Sequence, residues 1–250
     1  MIKGASGGNL VIGLDELSAV SVAAARSCSF NYIRLVNIES GEKFMILRPK
    51  TIAGLSDFAA LAVQAEERLP IIPSTQYSAE QKQAAADFEA AREVPVFGPF
   101  EPMMYSPQVM SQARAMGDYL RYKSAIGNTL SELTILITAR EWAQDYEWYV
   151  HYPIAMKAGI RQEVVDAIAD GRRPSAMSLD EEIVYDYASE LLKNKQISDA
   201  TFERAKSRFG PQGIVDMTGI VGYYTFLSMQ LNAAQYQIPK DGKKLPRMPR

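Results

Sequence analysis

The chain has 250 residues, of which 47% are hydrophobic and 22% charged, with a formal net charge of −2. That length can bury a sizeable core, and the composition is globular rather than disordered or fibrous. The mild acidity argues against a nucleic-acid partner, which calls for a basic face. The single cysteine, Cys28, excludes an intramolecular disulfide, a thiolate metal site and a CxxC redox pair.

Residues 1–65 have a texture of their own. Gly4, Gly7, Gly8 and Gly13 punctuate short apolar pieces with no sustained period. Asp15 and Glu16 interrupt the apolar patch from Leu10 to Leu14, which argues against a secretory signal. A short strand or hairpin is expected between Ile33 and Leu47. The segment 1–65 is read as a weakly structured or partly dispensable extension, and Met45 as an alternative start.

From Arg68 onward the pattern turns regular and helical. Ser78 with Gln81 forms a capping-box pattern, opening a helix to about Arg92. The stretch Val94 to Glu101, rich in proline and glycine, is expected to be loop. Ser106 followed by Pro107 reads as an N-cap with proline in the first turn, and that helix runs to about Lys123. Asn128 is expected to cap the next helix, and Asp145 the one after it, ending at Gly159. Arg161 to Ala169 follows, stopped by Gly171.

Ser178 and Glu181 repeat the capping box ahead of Ile183 to Lys193. Ser198 starts a helix ending at Gly210, and Pro211 opens the last long one, to about Ala234. Gly219 and Gly222 lie inside it at a cost of about 1 kcal/mol each relative to alanine, so close approach of a neighbouring helix is expected there. The stretch Ile214 to Leu231 contains Asp216 and several polar groups, which argues against a membrane span. Residues 239–250 form a basic, proline-bearing tail, read as extended and mobile. The fold class is all-α, with a helical domain over 66–238 and a cytoplasmic location expected.

The chemistry concentrates in residues 132–159. His151 is the only histidine of the chain. Glu147 precedes it by four residues, on the same face of a helix, and Glu132 lies on the helix before. A carboxylate beside an imidazole favours imidazolium; two carboxylates in an apolar pocket push one of them to keep its proton at neutral pH. Either outcome provides a proton donor or acceptor in the physiological range. Trp142, Tyr146, Trp148 and Tyr149 would wall such a pocket. A core histidine with Glu147 as a simple partner is the alternative. The three side chains could in principle ligate a metal, but the spacing differs from the ExxH of di-iron bundles; no metal and no cofactor are expected. Pro153 either kinks the motif helix or ends it.

The pattern Glu147-x-x-x-His151-x-x-x-Ala155-x-x-x-Gly159 resembles the carboxymuconolactone decarboxylase family, with its alkylhydroperoxidase D-like relatives. Phe97-Gly98-Pro99-Phe100, Tyr105-Ser106-Pro107, Leu130-Ser131-Glu132-Leu133 and Arg140-Glu141-Trp142 carry the same resemblance over roughly residues 68–240. It implies an alkylhydroperoxidase D-like helical fold and a trimer or hexamer formed through helices around the motif. The peroxidase branch has a CxxC pair that would fall on Gln144 and Glu147. Both thiols are absent, so thiol peroxidase chemistry is not expected.

The decarboxylase branch implies cofactor-free chemistry on a small carboxylated lactone or related ring acid. His151 would be the acid or anion-pairing group, Glu147 its partner or proton carrier, and Glu132 a further relay. Arg140 and Arg121 are candidates for holding a substrate carboxylate, and Trp148, Tyr223 and Tyr224 for lining its site. An isomerase or hydrolase using the same pair, and a non-catalytic oligomeric partner protein, are the alternatives. No nucleic acid and no membrane are expected as partners.

Overall fold

A computed structural model describes residues 68–240, 242 and 244–247, together with four short strands nearer the N-terminus. The chain divides into two units, Met1–Val63 and Gln64–Arg250.

In the first unit β1 (Gly4–Ala5) pairs antiparallel with β2 (Asn9–Gly13), β2 runs parallel to β3 (Ile33–Val36), and β3 pairs antiparallel with β4 (Met45–Leu47). The expected strand or hairpin between Ile33 and Leu47 corresponds to β3 and β4, with Ile33 opposite Leu47. The rest of the reading of 1–65, including Cys28, lies outside the described residues.

The second unit is all-α. Its helices are α1 (Ala79–Arg92), α2 (Phe100–Met103), α3 (Pro107–Tyr122), α4 (Asn128–Glu141), α5 (Asp145–Lys157), α6 (Gln162–Ala169), α7 (Leu179–Asn194) and α8 (Asp199–Ala234). Both capping boxes form reciprocally: Ser78 with Gln81 opens α1, and Ser178 with Glu181 opens α7. α8 breaks at Gly210, whose φ of 69° no helix can hold; Pro211 restarts the helix, where a missing N–H leaves no bond unmade.

Three boundaries differ from expectation for local reasons. Phe100–Met103 forms one helical turn instead of loop, because prolines in a first turn forfeit no intrahelical bond. Gly127, at φ +78°, takes the N-cap position of α4, so Asn128 is its first residue. Gln144 rather than Asp145 caps α5, its side chain accepting from the Tyr146 N–H. Pro153 sits inside α5 without ending it.

The centre of the unit is α4, which packs against α5, α7 and α8. Every residue from Leu130 to Ala139 is buried, as befits a helix that is apolar on nearly all sides. Two of its buried hydroxyls return to their own helix: Thr134 donates to the Leu130 carbonyl and Thr138 to that of Thr134, each at 2.8 Å. The α3–α8 contact depends on small residues. A Cβ on Gly219 would lie 3.0 Å from Leu120, so the expected close approach exists there, whereas one on Gly222 would meet nothing within 4 Å. Gly117 on α3 is the tighter position, since its Cβ would fall well inside van der Waals contact with the Tyr223 hydroxyl.

The tail differs from the mobile segment expected. Leu245 is buried, its N–H donates to Asp145 at 3.0 Å, and Arg247 pairs with the same carboxylate. Among the described residues no helix is long and apolar enough to cross a membrane.

Candidate active site

Three helices bring the site together. α4 supplies Glu132 and α5 supplies Glu147 and His151, while Arg121 comes from the last turn of α3. Only Trp142, Ala143 and Gln144 separate α4 from α5, and this tight turn is tied to α8. Asn232 donates to the Trp142 carbonyl at 3.1 Å and accepts from the Gln144 amide at 2.9 Å. The turn thus fixes the register in which the two acid-bearing helices face each other.

His151 lies between the two carboxylates. Its Nδ1 is 2.6 Å from Glu132 Oε2, and its Nε2 is 3.5 Å from Glu147 Oε2. A carboxylate can only accept, so the Nδ1 proton belongs to the bond with Glu132, and Nε2 presents its lone pair to Glu147. Arg121 Nη2 stands 3.6 Å from the other oxygen of Glu132. The Tyr224 ring meets the imidazole edge-on, with centroids 5.1 Å apart. All three acid–base side chains are buried. Burial dominates the titration of the group. It pushes Glu147 up to about 8, with help from the Glu132 charge and against the opposing pull of Arg121. Burial likewise lowers His151, outweighing the hydrogen bond and charge of Glu132 that favour imidazolium.

The resulting charge state is simple. At neutral pH Glu147 holds its proton and His151 is neutral, while the Arg121 guanidinium pairs with Glu132 at 3.6 Å. That assignment avoids an isolated buried charge, which would cost several kcal/mol. Among the described residues, Glu132 Oε1, Glu147 Oε1 and Arg121 Nε are buried with no hydrogen-bond partner. Unfilled capacity of this kind at three neighbouring groups suits a polar ligand.

Glu147, His151 and Arg121 open onto a cavity of about 30 Å³, walled by Phe97, Phe100, Tyr223 and Tyr224. That volume holds roughly one water molecule. Arg92 also lines it; its guanidinium is bound by Asp118 at 2.8 Å and lies over the Phe100 ring. Burial raises the phenol pKa of both Tyr223 and Tyr224, so they remain neutral walls.

Comparison with solved structures places this architecture. Over 70% of the chain and 93% of the other, the structure superposes with TM-score 0.57 and 14% identity on an uncharacterized peroxidase-related protein from Ralstonia eutropha JMP134, described as an alkylhydroperoxidase AhpD core. An uncharacterized peroxidase-related protein from Silicibacter sp. TM1040 gives 0.57 at 13% identity, over 70% of this chain and 91% of that one. The debrominase Bmp8, solved in complex with 2,3,4-tribromopyrrole, gives 0.56 at 11% identity, over 70% and 94%. The helical unit has the AhpD-like fold. No family profile matches the chain, and no curated protein matches it significantly.

On this AhpD-like frame, the residues singled out in the sequence fall into two groups. Glu132, Glu147 and His151 come together, with Arg121, Tyr223 and Tyr224 around them. Arg140 and Trp148 do not join them. Arg140 lines a different cavity and donates to the Pro246 carbonyl at 2.6 Å. Trp148 is buried against the core, its ring 6.4 Å from that of Tyr152. Of the other aromatic residues expected as walls, Tyr146 lines the cavity, Trp142 bonds Thr225 and Tyr149 is exposed. Gln144, at one of the positions the resemblance gives to a peroxidase cysteine, is spent on capping α5 and holding Asn232. Arg92 escaped the sequence reading, because it sits at the end of an amphipathic helix with no motif around it.

Proposed function

We propose that the protein is a cofactor-independent lyase, a decarboxylase acting on a small carboxylated lactone or related ring acid. The observation that carries this reading is a buried carboxyl, Glu147, held protonated near neutral pH, next to an imidazole tied to a second carboxylate and facing a cavity that Arg121 shares. The substrate carboxylate pairs with Arg121, whose Nε is without a partner among the described residues. The bond from the ring carbon to the carboxylate carbon breaks, CO2 leaves, and the electron pair spreads into the lactone carbonyl as a dienolate. Glu147 delivers a proton to that carbon. Glu147 is left as a carboxylate; one proton from solvent then enters at His151 Nε2, is held there as imidazolium paired with Glu132, and passes to Glu147 to restore the starting state.

A ring acid is larger than the roughly 30 Å³ between these groups, so binding requires the Phe97 and Phe100 wall to move aside. Assembly into a homo-oligomer belongs to the same proposal. Met116, Tyr119 and Tyr122 on α3 are exposed, as are Val215 and Met229 on α8, and apolar surface of this kind supports self-association. The deciding experiment is CO2 release from carboxymuconolactone by metal-stripped protein, with His151→Ala and Glu147→Gln alongside. Release that both variants abolish supports the proposal; no release by the folded wild-type protein overturns this choice of substrate.

A further inference from the structure

A second cavity, of about 530 Å³, opens on the part of the unit where α4 ends and α7 passes, beside the C-terminal tail. Its size falls within the range of small-molecule sites. Four cationic side chains line it: Arg140 from α4, Arg172 from the segment after α6, Lys193 from α7 and Arg247 from the tail. Glu141 is the only acid among the lining residues. The floor between the charges is apolar, with Ile137, Ile168 and Leu192 beside the Tyr185 ring.

The cations are incompletely compensated. Arg172 pairs with Asp170 at 2.9 Å, and Arg247 pairs with Asp145. Among the described residues Arg140 donates to the neutral Pro246 carbonyl and forms no ion pair, although the Glu141, Asp145 and Asp170 charges act on it at longer range, and Lys193 likewise forms no ion pair. Arg140 is also lowered in pKa, by partial burial first and by the Arg247 charge second. The Arg140 and Arg247 guanidinium groups face one hollow and repel each other, Asp145 offsetting part of that repulsion, and a further anion between them would offset more. The tail is part of this arrangement: it is held by Asp145 and Arg140, and in that position it presents Arg247 to the cavity.

We propose that this cleft is a binding site for a small organic anion carrying two or more negative charges and a flat apolar body, such as an aryl phosphate or an aryl dicarboxylate. The anionic group lies between Arg140 and Arg247 within reach of Lys193. The body packs on Ile137, Leu192 and the Tyr185 ring. This site is separate from the Glu132–His151–Glu147 centre, with which it shares no lining residue, and does not depend on the function proposed for that centre.

The test is calorimetric titration of the full chain with 1-naphthyl phosphate at physiological ionic strength. The expected result is saturable one-site binding, weakened at least tenfold in both Arg140→Gln and Lys193→Gln and unchanged in Arg121→Gln. Inorganic phosphate in place of the aryl ester is expected to bind at least tenfold more weakly, because it leaves the apolar floor uncovered. Lys193 is exposed, so Lys193→Gln stays folded and informative if the Arg140 variant proves unstable. Absence of saturable binding to the wild-type protein overturns the proposal, as does binding indifferent to Lys193→Gln. Loss of binding in Arg121→Gln alone also overturns it, by placing the anion at the acid–base centre.

Discussion

Replacing Glu147 with glutamine tests the charge state on which the site reading stands. The amide keeps the shape of the protonated carboxyl and a hydrogen-bond donor toward His151 Nε2, but it cannot ionise. In the wild-type protein the carboxyl is raised from 4.5 to about 8 by burial, so between those values the unfolded chain is ionised while the native one holds a proton. The native state then binds more protons than the unfolded state, and stability falls as pH rises through that interval. At ~1.4 kcal/mol per pH unit the full interval amounts to about 5 kcal/mol, an upper value for a single buried group. Below pH 4.5 the residue contributes no pH dependence, and above pH 8 the loss is complete. Urea unfolding of wild type and Glu147→Gln at half-unit steps from about pH 5 to about pH 9 reads the difference directly. The variant is expected to gain on the wild type steadily, by a few kcal/mol across that range. Parallel stability curves would refute a protonated Glu147, and with it the acid role assigned here.

Other expectations follow from the same geometry. Because His151 is the only histidine, its imidazole gives an isolated nitrogen NMR signal; it is expected to be neutral at about pH 6.5, the ordinary histidine value, with the proton on Nδ1, and an imidazolium signal there would contradict the burial argument. Arg121→Gln removes a cation that lowers both His151 and Glu147, so both titrations should move to higher pH, measured by NMR for the imidazole and by the pH–stability profile for the carboxyl. Gly117→Ala would press a methyl into the Tyr223 hydroxyl; an overpacking cost of about 1–3 kcal/mol is expected, together with a raised KM as Tyr223 shifts in the cavity wall, and an unchanged melting curve would show the ring is free to move. Ser178→Ala removes the capping box of α7 and should cost about 1 kcal/mol without altering the acid–base titrations.

How far the sequence reached depends on whether the relevant interaction was local. Capping boxes at Ser78 and Ser178, the Gly210–Pro211 break and the helical period after residue 68 are decided within a few residues, and local dihedral and hydrogen-bond rules sufficed for them. The Glu147–His151 pair was legible for the same reason, since four residues along a helix fixes a shared face. Glu132 is nineteen residues from His151 and is legible only as a second acid on the preceding helix; its 2.6 Å bond to Nδ1 exists because the Trp142–Gln144 turn, latched by Asn232 from α8, sets the register of two helices. Tertiary structure alone decided the direction of the titrations. From sequence a histidine among carboxylates allows either an imidazolium or a carboxyl that keeps its proton, and burial on every side selects the second, on Glu147. It also decided the fate of the arginines. Arg121 and Arg140 look alike in sequence, yet packing sends the first to the acid–base centre and the second to the cleft beneath the tail, because charge placement depends on which helices meet and the residue type does not record it.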